Sequence, residues 1–483
     1  MQTTLADPTD WARQEFLGAE LGDARRNRRL VAVAAALAKE SHGTLPESFG
    51  SWSELKAAYR LLKEPDVTYA ALLRPHWNRT RRECREPGQY LLVEDSTELD
   101  FTSHEDLQGM GSIGNGGGKG MLVHTTLALR LHGWDEQEEP QVTVVGLWAQ
   151  QCWVRTTLKG STREGTRARL TRDRESQRWA AAFVGITPCQ PEWIWTFMAD
   201  RESDIFETFE RCEKSRMHVL IRASQPRTLA EEDGSLFEAV AAAPVKGRFR
   251  LHLRGRPAQI KKAKHKGKRQ SVRRPKLPGR DVELEVRSRR VTLRAPWRPG
   301  GAGAARAVNV VEVREVNPPA EAEPIHWVLL TDWPVEDLAA CMRVARAYSC
   351  RWLIEEYHKA LKTGTGVESS QLTTAKKIEA LLGILALVAV RLLSMKLLAR
   401  VHPDQPLEAG ELSAEALVIL EAHYGAPAEG WTYEKTLTAI ARLGGFLARK
   451  SDGSPGWITI WRGWEKLQLM ALGAEIANRG KCG

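Results

Sequence analysis

"WIWTFMADRESDIFETFERC", residues 193–212, reads as a strand that stops at Asp200 and passes directly into a helix. "HVLIRA", from His218, is the next strand. Upstream, "QYLLVED" from Gln89 is an apolar run that stops at carboxylates, and "MLVHTTLALRL" and "QVTVVGLWAQQCW" continue in the same style before a helix predicted over "RESQRWAAAFVG". Strands followed by alternating helix and strand predict an α/β sheet, whose ligands gather at the carboxyl ends of its strands. Asp95 and Asp200 both fall at such ends.

Around this unit the pattern changes twice. The first eighty or so residues are helical, with apolar spacing in "LVAVAAALAKE" and "WSELKAAYRLLKE". In "GDARRNRRL", Arg25, Arg26, Arg28 and Arg29 open the first of those helices, either as a solvated start or as a phosphate-contacting face. From about 225 to 325 short strands are predicted, interrupted by the acid-free "KKAKHKGKRQSVRRPK", residues 261–276, which reads as a loop that touches phosphates. After Pro334 the chain turns helical to about Val401, a linker is predicted near 402–430, and a last helical unit follows.

Composition narrows the class. With 483 residues the chain is long enough for two to four domains. Lys and Arg number 70 against 60 acids, and the net charge of +10 favours a polyanionic partner such as nucleic acid. Seven scattered cysteines form no CxxC pair, which predicts reduced, structural thiols rather than a zinc site. No signal-peptide order opens the chain, and the apolar stretch from Ile378 is broken by Arg391 and Lys396, so a buried helix in a cytoplasmic protein is expected and no membrane partner.

"YSCRWLIEEYHKALK", residues 348–362, carries the remaining chemistry. Drawn as one helix, Tyr348, Arg351, Glu355 and Lys362 fall within roughly 60° of arc, while Glu356 is turned about 100° away from Glu355. Surface ion pairs, Lys359 among them, account for such a face equally well. Asp95 and Asp200 give Glu355 something further to share. Cutting a phosphodiester calls for hard oxygen ligands, and three carboxylates suffice for a pair of Mg²⁺ ions, with neighbouring cations holding the DNA backbone.

The pattern Tyr-x2-Arg-x3-Glu-x6-Lys resembles the YREK signature of the insertion-sequence-four family of bacterial DDE transposases. "VEDSTELD", "ADRESDIF", "HWVLLTDWPVEDL", "LGDARRNRRLVAVAAALAKES" and "AIARLGGFLARKSDGSPGW" are similar to other segments of that family, so the likeness spans nearly the whole chain. It implies an α/β fold: a ribonuclease-H-like core over 76–400 with a β-rich insertion at 225–325, a helical DNA-end-binding domain over 1–75 and a helical dimerisation domain over 401–483. It implies Asp95, Asp200 and Glu355 as the ligands of two Mg²⁺ ions, with Mn²⁺ able to substitute. Tyr348, Arg351, Lys362 and Arg222 would contact double-stranded DNA at the transposon end, and Trp327 would stack a flipped base. The implied activity is cut-and-paste transposition by a homodimer that holds transposon ends and target DNA. A ribonuclease-H-like nuclease without strand transfer and a non-catalytic DNA-binding regulator are the alternatives.

Overall fold

A computed structural model describes the chain over residues 7–479, apart from 40–43, 115–116, 156–182, 184–187, 254–258, 266–267, 275–277, 299–300, 320–323, 408–410 and 450–451. Four helices come first: α1 (Pro8–Phe16), α2 (Ala24–Lys39), α3 (Trp52–Leu61) and α4 (Tyr69–Glu83). Asp7, Ser51 and Thr68 cap α1, α3 and α4 through side-chain oxygens that take otherwise orphaned backbone N–H groups.

Strands β1 (Gly88–Asp100), β2 (Gly111–Ile113), β3 (Gly118–Trp134) and β4 (Pro140–Trp153) follow, then β5 (Trp193–Ala199), α5 (Phe206–Lys214) and β6 (His218–Arg222). β1, β3 and β4 form an antiparallel meander, and β5 and β6 run parallel to β1 on its other side. This is the layout expected of a ribonuclease-H-like core. The predicted helix over 174–185 lies outside the described residues except Phe183, which packs on Phe197.

The insertion adds α6 (Leu236–Ala241), β7 (Val245–Leu253), β8 (Gln259–His265), β9 (Lys268–Arg274), β10 (Arg280–Leu293), the short pair β11 (Trp297–Arg298) and β12 (Gly301–Ala302), and β13 (Arg306–Glu315). β14 (His326–Thr331) brings the chain back beside β6 and completes a ten-stranded sheet. The acid-free segment is not a loop: β8 and β9 pair as an antiparallel ribbon, with His265 opposite Lys268. Backbone pairing needs no apolar side chain, which is why a composition of Lys and Arg conceals a ribbon.

The helical remainder comprises α7 (Leu338–Ser349), α8 (Trp352–Lys359), α9 (Ala375–Val401), α10 (Ala414–Tyr424), α11 (Tyr433–Leu443) and α12 (Trp457–Arg479). The section expected to be a linker thus contains α10, anchored by buried Ala416 and Leu420. α9 is long and apolar enough to cross a membrane by length and composition, yet it is buried as the central rod of the helical side. Its Arg391 is buried and lies over the rings of Trp11 on α1 and Trp464 on α12, at 5.3 and 5.6 Å. One interior therefore joins the first and last helices of the chain.

A second tie fixes the N-terminal helices to the sheet. Glu15 on α1 is buried against His76 at 2.8 Å and Arg79 on α4, and the Leu147 N–H of β4 donates to His76 Nε2 at 2.9 Å. Gly146 leaves room for this contact: with φ at +156°, a Cβ there would stand 2.7 Å from His76 Nε2 and 2.4 Å from Thr80 Oγ1. Gly146→Ala should lower stability by about 1–3 kcal/mol, from overpacking and backbone strain together, and a urea melt checks it.

Candidate active site

Alternation along the strands decides where the site lies. Leu91, Val93, Met198, Leu220 and Leu329 face one core, whereas Tyr90, Leu92, Phe197, Ile221 and Val328 face the other. Continuing the two-residue period puts Asp95, Asp200, Arg222 and Trp327 all on the first face, the one on which α7 to α9 pack.

Asp95 is not at a strand end. β1 runs on to Asp100, paired with β3 as far as Gly120, so the polar residues after Asp95 form a hairpin arm. What stops there is the parallel ladder: its last pair is Glu94 with Ala199. Asp95 and Asp200 are the next residues on the two strands. One oxygen of Asp95 accepts the Ser96 N–H at 2.8 Å, and one oxygen of Asp200 caps a turn by accepting the Glu202 N–H at 2.9 Å. The capping role of Asp200 thus coexists with its place beside Asp95.

The stretch from Tyr348 to Lys362 is not one straight helix. α7 ends at Ser349, and bonds of the i to i+3 type, Arg351 N–H to Tyr348 and Leu353 N–H to Cys350 among them, make a seam before α8. Residues Ala360–Gly364 then form a π turn closed by Thr365 N–H to the Ala360 carbonyl at 3.0 Å. Such turns inside helices are frequent at functional sites. Tyr348, Arg351 and Glu355 stay together despite the seam; Lys362, half-buried, lies beyond the start of the π turn, off the wheel drawn for a regular helix.

Arg351 is the junction. Its Nη1 stands 3.3 Å from Asp95 Oδ2, and its Nη2 donates to Glu355 Oε1. Burial alone would lower its pKa, but Tyr348, Glu355 and Asp95 raise it. Asp95 is pushed up to about 6, first by burial and then by the charge of Asp200. Burial pushes the Tyr348 phenol up to about 12, so the ring is neutral. Arg222 donates to the His326 carbonyl at 2.8 Å and is lowered by burial and by Arg201.

The donors suit a hard cation: carboxylate oxygens of like charge around Asp95, an arrangement that bound positive charge relieves. Among the described residues no group of three or more His, Cys, Asp or Glu side chains is gathered to hold an ion. In this arrangement the guanidinium of Arg351 supplies the charge between Asp95 and Glu355.

Beside the carboxylates opens a cavity of about 530 Å³, lined by Trp327, Tyr348, Arg351, Trp352 and Arg400 among others. Trp327 meets Tyr348 edge to face, with centroids 5.7 Å apart. Trp352 was not singled out from the sequence. It is 53% exposed and shares the solvent face of α8 with Glu355 and Lys359, and its spacing of three residues before Glu355 was the available signal. Glu356 faces inward and pairs with Lys396 at 2.6 Å, as the helical wheel required.

A buried polar chain fastens α8 to the strand pair that carries Asp95. Gln150 Nε2 donates to Thr125 Oγ1 and lies 2.8 Å from the Tyr357 hydroxyl, and His358 Nε2 is 3.2 Å from the same Thr125 oxygen. Thr125 is the residue directly opposite Asp95 in the β1–β3 register. Burial lowers His358 to about 3, which keeps it neutral. Of the N-terminal arginines, Arg26 pairs with Glu64 and Asp66 and Arg25 with Asp23, while Arg28 and Arg29 are exposed.

A family described as transposase DNA-binding matches residues 8–67, and the transposase DDE domain family matches residues 153–391. The second match takes in Asp200 and Glu355 and begins beyond Asp95, which reaches the site through the pairing of β1 with β5. A DDE domain implies a ribonuclease-H-like fold and the use of divalent metal ions, in keeping with the sheet and the carboxylates above. Carrying a transposase DNA-binding domain ahead of a transposase DDE domain, the chain is a DDE transposase.

Proposed function

We propose that the protein is a cut-and-paste transposase of the insertion-sequence-four type, resembling the transposon-five enzyme, with Asp95, Asp200 and Glu355 as its metal ligands. The observation that carries this reading is the shared sheet face: it sets Asp95 beside Asp200 and presents both to the helix of Glu355, with Arg351 touching two of the three. Two Mg²⁺ ions, when bound, would activate the attacking oxygen and stabilise the leaving one.

The chain's own groups position the DNA. Arg351, Lys362 and Lys359 would hold backbone phosphates, and Arg222 would support the site from β6. A water nicks one strand at the transposon end. The freed 3′-hydroxyl attacks the opposite strand, closing a hairpin and releasing flanking DNA. A second water opens the hairpin, and the 3′-hydroxyl then attacks target DNA. The neutral, buried Tyr348 acts as a contact rather than a nucleophile, so no tyrosyl–DNA adduct forms.

Trp327, on the wall of the cavity, would stack the base extruded during hairpin formation. Trp327→Ala should lower hairpin yield roughly 5- to 150-fold, the equivalent of about 1–3 kcal/mol of stacking, with nicking little changed and Trp327→Phe largely restoring it. Equal loss of nicking and hairpin would reduce Trp327 to a packing role.

Residues 1–75 would read the transposon end, with Arg28 and Arg29 as exposed candidates for phosphate contact on α2. Residues 401–483 would dimerise through α12, whose Leu469, Met470 and Leu472 lie exposed. The site of action is the bacterial cytoplasm, on nucleoid DNA. An excision assay tests the function: DNA bearing candidate terminal inverted repeats taken from the flanks of the gene, incubated with the full chain and Mg²⁺, should lose the segment between them. Persistence of intact DNA under saturating binding would contradict it.

A further inference from the structure

Arg351 occupies an unusual position for a residue whose proposed work is to hold DNA. Its guanidinium reaches Asp95 Oδ2 at 3.3 Å and Glu355 Oε1, so it sits on two of the three carboxylates that the proposed function assigns to metal. The side chain is only 18% exposed, although Glu355 is 45% exposed. A planar, permanently charged fork can engage two carboxylates at once, which a lysine ammonium does less well.

We propose that Arg351 is a displaceable internal cation: it holds Asp95 and Glu355 before DNA arrives, and its transfer to a DNA phosphate frees both carboxylates for metal. This rests on the metal-site assignment above and adds an order of events to it. Guanidinium and divalent ion compete for the same oxygens, and no group of three metal-binding side chains is gathered among the described residues while Arg351 is in place.

The surroundings provide the alternative position. Arg351 also lines the cavity of about 530 Å³ shared with Trp327, Tyr348 and Trp352, so a side chain that leaves the carboxylates enters the space assigned to the DNA end. It sits at the seam between α7 and α8, where the bonds are of the i to i+3 type and the regular helix is interrupted. By linkage, DNA that captures Arg351 must tighten metal binding, and metal must tighten DNA binding by the same factor. A transposase built this way stays uncharged with metal until an end is engaged.

The bland alternative is an ordinary i, i+4 ion pair with a second contact, and it makes the opposite forecast. If Arg351 merely supports the carboxylates, neutralising it leaves Mn²⁺ binding unchanged or weaker.

The test is equilibrium Mn²⁺ binding to the full chain, read by electron paramagnetic resonance of free Mn²⁺, without DNA. Arg351→Gln should bind Mn²⁺ at least about fivefold more tightly than the wild type, and Arg351→Lys should fall between them. Unchanged or weaker binding by Arg351→Gln overturns the proposal. Arg351→Lys, which keeps the charge, decides the matter by the same criterion if the glutamine variant melts early. The wild type should gain at least about fivefold in Mn²⁺ affinity when saturated with an end duplex from the excision assay, and Arg351→Gln should gain nothing. Failure of the metal site itself looks different: Asp95→Asn and Glu355→Gln would then bind Mn²⁺ as the wild type does.

Discussion

Asp95→Asn, Asp200→Asn and Glu355→Gln should each lower strand nicking by on the order of 10³-fold or more, with duplex binding and melting temperature nearly unchanged. Each change removes one charge and keeps the size of the side chain. Folding tolerates all three for separate reasons. Asparagine at 95 removes both causes that hold the acid up at about 6, the burial of a charge first and then the repulsion from Asp200. Asparagine at 200 still accepts the Glu202 N–H, because Asn caps as well as Asp does. Glutamine at 355 gives up an ion pair on a helix face open to water, where such pairs contribute little. A loss of nicking with the fold intact therefore reports chemistry. Asp95 is the most informative of the three, since it lies outside the matched DDE segment.

The largest stability effect is expected at Glu15, far from the site. Its carboxylate is buried against His76 and Arg79, and the Leu147 N–H donated to His76 Nε2 leaves Nδ1 as the protonated nitrogen facing Glu15. Burial raises the Glu15 pKa, but His76 and Arg79 outweigh it and hold the group at about 2. The folded value lies below the unfolded one, so the ionised carboxylate stabilises the fold at every pH above the unfolded value of 4.5. That contribution, on the order of 3 kcal/mol, is lost progressively as pH falls from there through about 2. Glu15→Ala should destabilise the chain by about 3–5 kcal/mol at neutral pH, by stranding buried His76 and half-buried Arg79. Its urea midpoint should also change less between pH 5 and pH 2 than that of the wild type. An equal acid response in both proteins would refute the role of Glu15.

Much of this was legible because strands announce themselves by uninterrupted or alternating apolar residues. "WIWTFMAD" and "QYLLVED" set β5 and β1 in place, and Glu355 was separated from Glu356 by a helical wheel alone. The differences share a cause: strand pairing is not written in local pattern. The apolar run of "QYLLVED" stops at its carboxylates, yet β3 pairs with Ser96, Thr97 and Glu98 and carries β1 past Asp95. The basic ribbon β8–β9 is held by pairing between its own two backbones, and α10 by the burial of Ala416 and Leu420, neither of which local composition displays. The wheel over 348–362 presumed regular geometry, and both the seam at Cys350 and the π turn from Ala360 depart from it. No sequence rule pairs His358 with Thr125, since that contact exists only after α8 docks on the sheet, whereas Gln150 meets Thr125 through the β3–β4 register.

Strand joining is the activity that separates a transposase from a nuclease of the same fold. The direct measurement supplies the full chain with Mg²⁺, a pre-nicked end duplex carrying a free 3′-hydroxyl, and a supercoiled plasmid. Covalently joined end–plasmid product is expected, and it should disappear with Asp95→Asn and with removal of the divalent ion. Nicked plasmid with no joined product, or joining that survives Asp95→Asn, would contradict it.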